Sequence, residues 1–377
     1  MKRRPNPIAP ILAAGLLLAA LPAAAQRGRG VAGAVYVATN AAGNAILAFD
    51  RLASGRLDPT PQVYPTGGAG TGTGLGNQGG VILSANERHL FAINAGSDEI
   101  SVFRVDAHGL TWLSNTPSGG QRPISLTQHG RLLYVLSAGG AVGGQDSIAG
   151  FFIGSDGALD PIPGSVQPLS AANTDPAQIG FTPDGGVLVV TEKATNTITT
   201  FVVGAGGAAG APHPQPSVGQ TPFGFAFGKR GQLLVSEAFG GAVEASAVTV
   251  YFVADDGTLE VLDPSAPTTE TAACWLAISN DGRFAYTTNT GSGTLSGFTV
   301  GFDGTLTLLD GDGVTGDTGA GTAPIDMDFS TDGRSLYTLN AGTGSLAVFR
   351  FAGGSGELSA LQQVAGLPDG ANGLAAR

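Results

Sequence analysis

The fold of this chain is decided by a short apolar phrase, in one copy Phe284-Ala-Tyr-Thr-Thr-Asn289, which follows the tight turn Asn280-Asp-Gly282. The phrase is rich in β-branched and aromatic residues and is too short for a helix, so it predicts a β-strand. Asp and Gly tolerate the positive φ that a tight hairpin turn requires. The same unit of turn and strand returns along the chain and therefore indicates internal repetition.

The phrase occurs seven times, and the final polar residues of successive copies lie 43 to 55 residues apart. The copies are Val35–Asn40, Leu90–Asn94, Leu133–Ser137, Leu188–Glu192, Leu233–Glu237, Phe284–Asn289 and Leu336–Asn340. An inner apolar segment precedes each phrase, and two further strands follow it. Seven units of four strands predict an all-β fold, a seven-bladed β-propeller. An open β-solenoid is the alternative, but solenoid repeats are shorter and more regular.

The two ends of the repeat array are complementary. Blade 1 begins at its second strand, near Val35, and lacks an inner strand of its own. The C-terminal segment Gly370–Ala375 has the composition of that missing strand. We therefore expect blade 1 to be closed by the C-terminal strand, and residues 31–377 to form a single propeller domain.

Composition supports the same class of protein. The chain of 377 residues contains 61 Gly without a three-residue period, 42% apolar residues and only 12% charged residues. These values exclude collagen and argue against a disordered chain. Long helices are disfavoured because each helical Gly costs about 1 kcal/mol relative to Ala.

The N-terminus predicts a secretory signal peptide over residues 1–25. Positive residues Lys2–Arg4 precede the apolar run Ile8–Leu21, and Ala23–Ala25 offer a cleavage site. The run is shorter than the roughly 20 residues that span a bilayer, so no membrane insertion is expected after cleavage. Cleavage removes three positive charges and changes the net charge from −11 to −14. The sequence thus predicts an exported protein, periplasmic or extracellular, that repels nucleic acid.

Propeller topology predicts two faces. The turns from first to second and from third to fourth strand form one face, here called the turn face. The links between blades and the loops after each phrase form the other, the link face. Glu192 and Glu237 end equivalent phrases on adjacent blades, so they are the predicted catalytic residues at the link face. Two close carboxylates raise each other's pKa, which suits acid or base catalysis.

The alternative interpretation makes Glu192 and Glu237 solvated rim charges. Residues near the starts of inner strands and at one further phrase end complete the predicted site. These predicted substrate-binding residues are Arg122, Gln178, Phe223, Trp275, Asn289 and Asp326. The four His lack metal-ligand spacing and no cofactor motif occurs, so we expect neither metal nor cofactor.

The repeated phrases, the seven blades and the turn Phe181-Thr-Pro-Asp-Gly185 resemble the β-propeller lactonase family, with its 6-phosphogluconolactonase-like and carboxymuconate lactonizing enzyme-like members. This resemblance implies hydrolysis of a lactone ring. The family's Arg-His pair in blade 4 corresponds here to Ala177-Gln178, and its Asn-Glu to Thr191-Glu192. Its later Asn-Arg corresponds to Asn289-Thr290, so that Arg is also missing.

Two functions follow from these observations. The first is an exported, monomeric lactonase-type hydrolase for an uncharged or weakly charged lactone, because Arg122 and Lys193 are almost the only cations of the link face. In it Glu192 would be the general base, Glu237 would modulate its pKa, and Gln178 and Asn289 would stabilise the oxyanion. The second is a non-catalytic propeller that binds a ligand or a protein, favoured by the missing Arg-His and Asn-Arg pairs.

Overall fold

The computed structural model describes residues 30–107 and 109–377. The predicted signal peptide and His108 lie outside these residues. Within them the secondary structure is 30 β-strands and two short 3₁₀ helices. No helix of this described part is long and apolar enough to cross a bilayer.

The strands form seven antiparallel sheets, which confirms the seven-bladed propeller. In blades 2 to 7 the strands run in chain order from the central channel outwards, whereas in blade 1 the last strand of the chain is innermost. Blade 1 contains β1 (Val31–Ala38), β2 (Ala45–Leu52) and β3 (Gln62–Pro65); blade 2 contains β4 (Val81–Leu83), β5 (His89–Asn94), β6 (Glu99–Asp106) and β7 (Gly109–Pro117). Blade 3 contains β8 (Pro123–His129), β9 (Leu132–Ala138), β10 (Asp146–Ile153), β11 (Leu159–Pro161) and β12 (Gln167–Pro168); blade 4 contains β13 (Pro176–Phe181), β14 (Val187–Glu192), β15 (Thr197–Val202) and β16 (His213–Pro216).

The remaining blades repeat this order. Blade 5 contains β17 (Pro222–Phe227), β18 (Gln232–Glu237), β19 (Ala247–Val253) and β20 (Leu259–Pro267); blade 6 contains β21 (Ala273–Ile278), β22 (Phe284–Asn289), β23 (Thr294–Val300), β24 (Leu306–Leu308) and β25 (Gly316–Asp317). Blade 7 contains β26 (Pro324–Phe329), β27 (Ser335–Asn340), β28 (Ser345–Phe351) and β29 (Leu358–Ala365), after which β30 (Asn372–Ala376) returns to blade 1. The 3₁₀ helices, Gly139–Val142 and Phe239–Gly241, lie in the loops after the second strands of blades 3 and 5.

The repeated phrase is continuously apolar because the second strand of a blade packs against both neighbouring blades. All six residues of β14 are buried. Leu188 and Val190 belong to a core cluster with blade 3, whereas Val187 and Val189 pack with residues of blade 5. Both sides of the strand therefore need apolar side chains, and no polar alternation remains.

The ring is closed as the sequence predicted. β30 pairs with β1 in antiparallel register, with Val35 opposite Ala376 and Val37 opposite Leu374. The buried Arg51 reinforces this joint, since its Nε donates to the carbonyl of Arg377 at 2.7 Å. Its guanidinium also pairs with Asp332 of blade 7 at 3.0 Å. The side chain of Arg51 thus binds both the C-terminal residue and blade 7, in addition to the strand pairing.

Tyrosines of the second strands join neighbouring blades by a repeated hydrogen bond. The hydroxyl of Tyr134 donates to Gly207 O at 2.7 Å, and that of Tyr337 donates to Gly55 O at 2.8 Å. In both cases the Gly lies in a turn of the next blade and has positive φ. The bond fixes the angle between blades and explains part of the Gly content of these turns.

Candidate functional site

Inner strands of successive blades are joined by side chains that line the channel. The amide of Ile179 donates to Ser125 Oγ at 3.2 Å, and the amide of Ala376 donates to Asp328 Oδ2 at 2.9 Å. The amide of Gln178 reaches blade 5 in the same way, where Phe225 N donates to its Oε1 at 2.7 Å. Polar residues on inner strands therefore satisfy backbone groups of the following blade.

The link between blades 1 and 2 enters the channel and crosses it. We call its segment Gly76–Gly79 the hub. The side chain of Gln78 forms two hydrogen bonds with the backbone of Leu276 in blade 6, at 2.8 and 3.1 Å. Asn77 accepts hydrogen bonds from Trp275 Nε1 and from the side chain of Asn372, at 2.7 and 2.8 Å. The hub thus connects inner strands on different sides of the ring.

A cavity of about 500 Å³ occupies the channel on the turn-face side of the hub. Gln78 and Gly79 form its inner end, and inner strands of blades 2, 3, 4, 5, 7 and 1 form its walls. The lining combines apolar side chains with polar and acidic ones, among them Gln78, Gln128, Gln178, Asp326 and Asp328. A cavity of this size and composition fits a small organic ligand.

Two carboxyl groups of β26, Asp326 and Asp328, face this cavity. Asp326 has positive φ, and the strand register shifts between Ile325 and Met327. Asp326 is only 2% exposed and accepts hydrogen bonds from the amides of Met327 and Leu374. Asp328 is partly exposed and accepts from Ala376. The irregularity of the strand therefore places two acids on one wall.

Burial changes the protonation of both acids. Desolvation raises the pKa of Asp326 well above its usual value, and the nearby charge of Asp328 adds to this effect. Desolvation also raises the pKa of Asp328, to about 7, against the opposing hydrogen bonds from Ala376 and Phe329. Burial therefore favours the neutral form of Asp326, which can donate a hydrogen bond, whereas Asp328 can exchange a proton near neutral pH.

The described lining of the cavity contains neither Lys nor Arg. Its charged or chargeable residues are the two acids and Glu87, which lies in the first turn of blade 2 and accepts a hydrogen bond from Thr331 at 2.7 Å. An anionic ligand would meet uncompensated negative charge here. The cavity therefore disfavours anionic ligands.

The structure brings two of the predicted binding residues, Gln178 and Asp326, into this cavity. It places Arg122, Phe223 and Trp275 at the link-face end of the channel. There the rings of Phe223 and Trp275 pack at a tilt of 50° with centroids 4.6 Å apart, and Lys193 lies 4.7 Å from the centroid of the Phe223 ring. Lys193 donates to the carbonyl of Gly76 at 2.5 Å, so this group holds the hub in place.

Arg122 begins the inner strand of blade 3 in a positive-φ conformation. Its amide donates to Asp98 at 2.6 Å, and its Nε has no hydrogen-bond partner among the described residues. Burial lowers the pKa of the neighbouring Lys193, although Asp175 opposes that effect. Both predicted cations of the link face are thus present, but Lys193 is occupied by the hub and by Asp175 at 3.4 Å.

The two predicted catalytic carboxylates have separate and enclosed environments. Glu192 and Glu237 are both 0% exposed. Glu192 accepts hydrogen bonds from Ser170, Thr195 and Thr199, whereas Glu237 accepts from Gly219, Thr249 and Ser265. Burial raises the pKa of Glu237, opposed by these donors. No described residue donates to both carboxylates.

Asn289 has a comparable environment. It is fully buried and donates to Thr294 and Ser296 within its own blade, at 3.0 and 2.9 Å. Its position ends the second strand, as in Glu192 and Glu237. The ends of the phrases thus pack inside the blades.

Sequence reasoning missed Asp328 and Gln78. A signal for Asp328 is visible in Ile325-Asp-Met-Asp-Phe329, where two acids interrupt an apolar inner strand. No local signal marks Gln78, because its partner Leu276 is 198 residues away in the chain. The hub segment reads simply as a Gly-rich link.

Comparison with known proteins identifies the family of this chain. The family model "Lactonase, 7-bladed beta-propeller" matches residues 33–140 and 243–372. The chain therefore belongs to the seven-bladed β-propeller lactonase family. The unmatched stretch, 141–242, contains blade 4, where Ala177-Gln178 replaces the expected Arg-His pair.

Solved structures share the fold at low sequence identity. The Pseudomonas aeruginosa periplasmic gluconolactonase PpgL is 22% identical with a TM-score of 0.70, covering 90% of this chain and 98% of its own. A Lactobacillus plantarum protein is 18% identical with a TM-score of 0.71, covering 91% and 98%. A candidate 6-phosphogluconolactonase from Bacteroides fragilis is 19% identical with a TM-score of 0.65, covering 91% and 97%. A search of curated proteins found no significant match.

Proposed function

We propose that this chain hydrolyses an uncharged or weakly charged lactone in the channel cavity, as an exported, monomeric enzyme. Family membership supports lactone hydrolysis in general. The observation that carries the proposal is Asp328, a cavity acid whose pKa of about 7 suits proton transfer at neutral pH. The export proposal rests on the predicted signal peptide and agrees with the periplasmic location in the name of PpgL.

Hydrolysis adds one water molecule across the ring ester and yields a hydroxy acid. Ionised Asp328 accepts a proton from water as the water oxygen bonds to the lactone carbonyl carbon. Protonated Asp326 donates a hydrogen bond to the carbonyl oxygen, which becomes negative in the tetrahedral intermediate. The bond between the carbonyl carbon and the ring oxygen then breaks, and Asp328 returns its proton to that oxygen.

The environment of the two acids divides these roles. Asp326 is the more buried, and burial raises its pKa and favours its protonated form, so it suits the donor role. Asp328 titrates near neutrality and suits the base role. Amide groups of Gln78 and Gln178 are already bound to Leu276 and Phe225, so they shape the cavity and do not bind the ring.

A panel of uncharged lactones tests the proposal with Asp328→Asn. The Asn Oδ1 still accepts from Ala376 N, so the fold is kept while the base is removed. We expect kcat/KM to fall by about 100-fold or more. Glu192→Gln is the matched variant, since the prediction that Glu192 is the base stays open. We expect that variant to retain most of its turnover.

Two results would contradict this assignment. Turnover that survives Asp328→Asn but is lost in correctly folded Glu192→Gln protein would assign the general base to Glu192. Absence of turnover in the wild-type protein, with binding of a lactone or of a protein retained, would favour the non-catalytic binding propeller. Heat denaturation and circular dichroism identify variants that have simply lost the fold.

A further inference from the structure

A second cavity, of about 550 Å³, lies on the turn face between blades 2 and 3. Arg88 and His89 come from blade 2, and Arg131 comes from blade 3. Ser84 and Gln128 line both this groove and the channel cavity, so the two spaces adjoin. We call it the basic groove.

The charge of this groove is opposite to that of the protein. The chain has 18 Lys+Arg against 29 Asp+Glu, yet no Asp or Glu is among the residues that line the groove. Most acids of the chain thus lie elsewhere, while two Arg and a His meet in one concave space. A lining without carboxylates leaves their donors available to a ligand.

The guanidinium groups of Arg88 and Arg131 form few hydrogen bonds or ion pairs with described residues. The Arg88 guanidinium forms neither an ion pair nor a hydrogen bond with any residue in the described part of the chain. Arg131 uses only Nε, which donates to Ile153 O at 3.3 Å. Both Arg residues are exposed at the groove, so their guanidinium groups are open to an oxyanion from solvent.

The pKa of His89 depends on the charges around the basic groove. Its pKa is lowered by burial and then by the charges of Arg104 and Arg88, whereas Asp156 opposes the shift. The ring therefore stays neutral in the empty groove at neutral pH. An anion beside it favours the protonated form and raises its pKa.

We propose that the basic groove binds a small oxyanion, with phosphate as the best-fitting class. Two guanidinium groups and an imidazole supply more donors than one planar carboxylate can accept, whereas a phosphate dianion has enough oxygen atoms for all three. The groove is separate from the acids Asp326 and Asp328, so this binding does not depend on lactone hydrolysis. Its position beside the channel makes it an accessory site of the turn face.

Titration with inorganic phosphate at constant ionic strength, followed by NMR of the histidine ring signals, tests the proposal. The chain has four His, and His89→Gln assigns the relevant signal. We expect a saturable shift of that signal and a rise of its pKa by about one unit. Acetate is the second probe, and we expect it to bind about tenfold more weakly.

The variant Arg88→Ala/Arg131→Ala supplies the structural arm of the test, with Arg334→Ala as its control. Arg334 also directly precedes a second strand but lies in blade 7, outside the groove. We expect the double variant to lose the saturable shift of the His89 signal and Arg334→Ala to keep it. We expect the lactone turnover of both variants to equal that of the wild-type protein. A non-saturable response, or one that survives in the double variant, would overturn the proposal. Stronger binding of acetate would overturn the choice of phosphate.

Discussion

Asp328 and Glu192 are both acids inside the propeller, but their surroundings differ. Glu192 is enclosed by hydroxyl and amide donors that occupy both of its oxygens. Asp328 is bound by backbone amides on one side and faces a cavity on the other. A carboxyl that borders open space and lacks a cation can exchange a proton with a ligand, whereas a saturated one stabilises its blade.

The raised pKa of Asp328 predicts a pH dependence of stability. The unfolded chain releases this proton near pH 4, but the folded chain holds it up to about pH 7. The free energy of unfolding should therefore fall as pH rises through this window and level off above it. In Asp328→Asn the fall should be smaller. Urea denaturation at pH 4 to 8 measures the difference, and equal slopes for both proteins would contradict the shift.

The sequence predicted that the phrase ends are equivalent positions, but it did not predict that their side chains are buried. The sequence placed Glu192, Glu237 and Asn289 at equivalent positions, and the structure confirms that equivalence. Whether their side chains face the channel or the blade interior depends on strand twist and on partners from other strands. Neighbours such as Ser265 and Ser170 are not adjacent in the sequence, so this direction was not predictable.

At the scale of elements, the hub is the least predictable part of the fold. Repeats and turns determine blade strands locally, so their number and order were predictable. The hub is a link whose position depends on hydrogen bonds to four inner strands, β8, β13, β21 and β30. Its residues Gln78 and Gly79 line the channel cavity.

Gln78→Ala tests this role of the hub. The change removes two hydrogen bonds to buried backbone groups of Leu276, so we expect a loss of about 2 kcal/mol in unfolding free energy. Gln363→Ala is the control, because it removes one side-chain bond from an outer strand. Urea denaturation compares the two. A loss in Gln78→Ala no larger than in Gln363→Ala would show that the hub contributes little stability.

At the scale of the whole molecule, cations are distributed unevenly. Apart from Arg122 and Lys193, the Lys and Arg of the described residues lie at the ends of strands that border the turn face. This face therefore combines an acidic cavity with a basic groove, whereas the link face is poor in positive charge. The sequence predicted the second property correctly but gave no sign that the two Arg of neighbouring blades share a cavity.

Arg51→Met tests how the ring is held together. The change removes donors to Arg377, Ala32 and Asp332, and the partial exposure of Asp332 limits the cost. We expect a loss of about 2 kcal/mol in unfolding free energy. Arg56→Met, at an exposed position of the same turn, should change stability by less than about 0.5 kcal/mol. Equal effects of both changes would assign ring closure to β30 alone.

The pairing of β30 with β1 also means that blade 1 can be completed only at the end of chain synthesis. The partner of β1 is synthesised more than three hundred residues after it, so β1 emerges from the ribosome with an unpaired inner edge. That edge stays available to other strands until Asn372–Ala376 have been made, and an exposed edge invites mispairing between nascent chains. Ribosomes that stall before this point would release chains that can form blades 2 to 7 but cannot complete the ring.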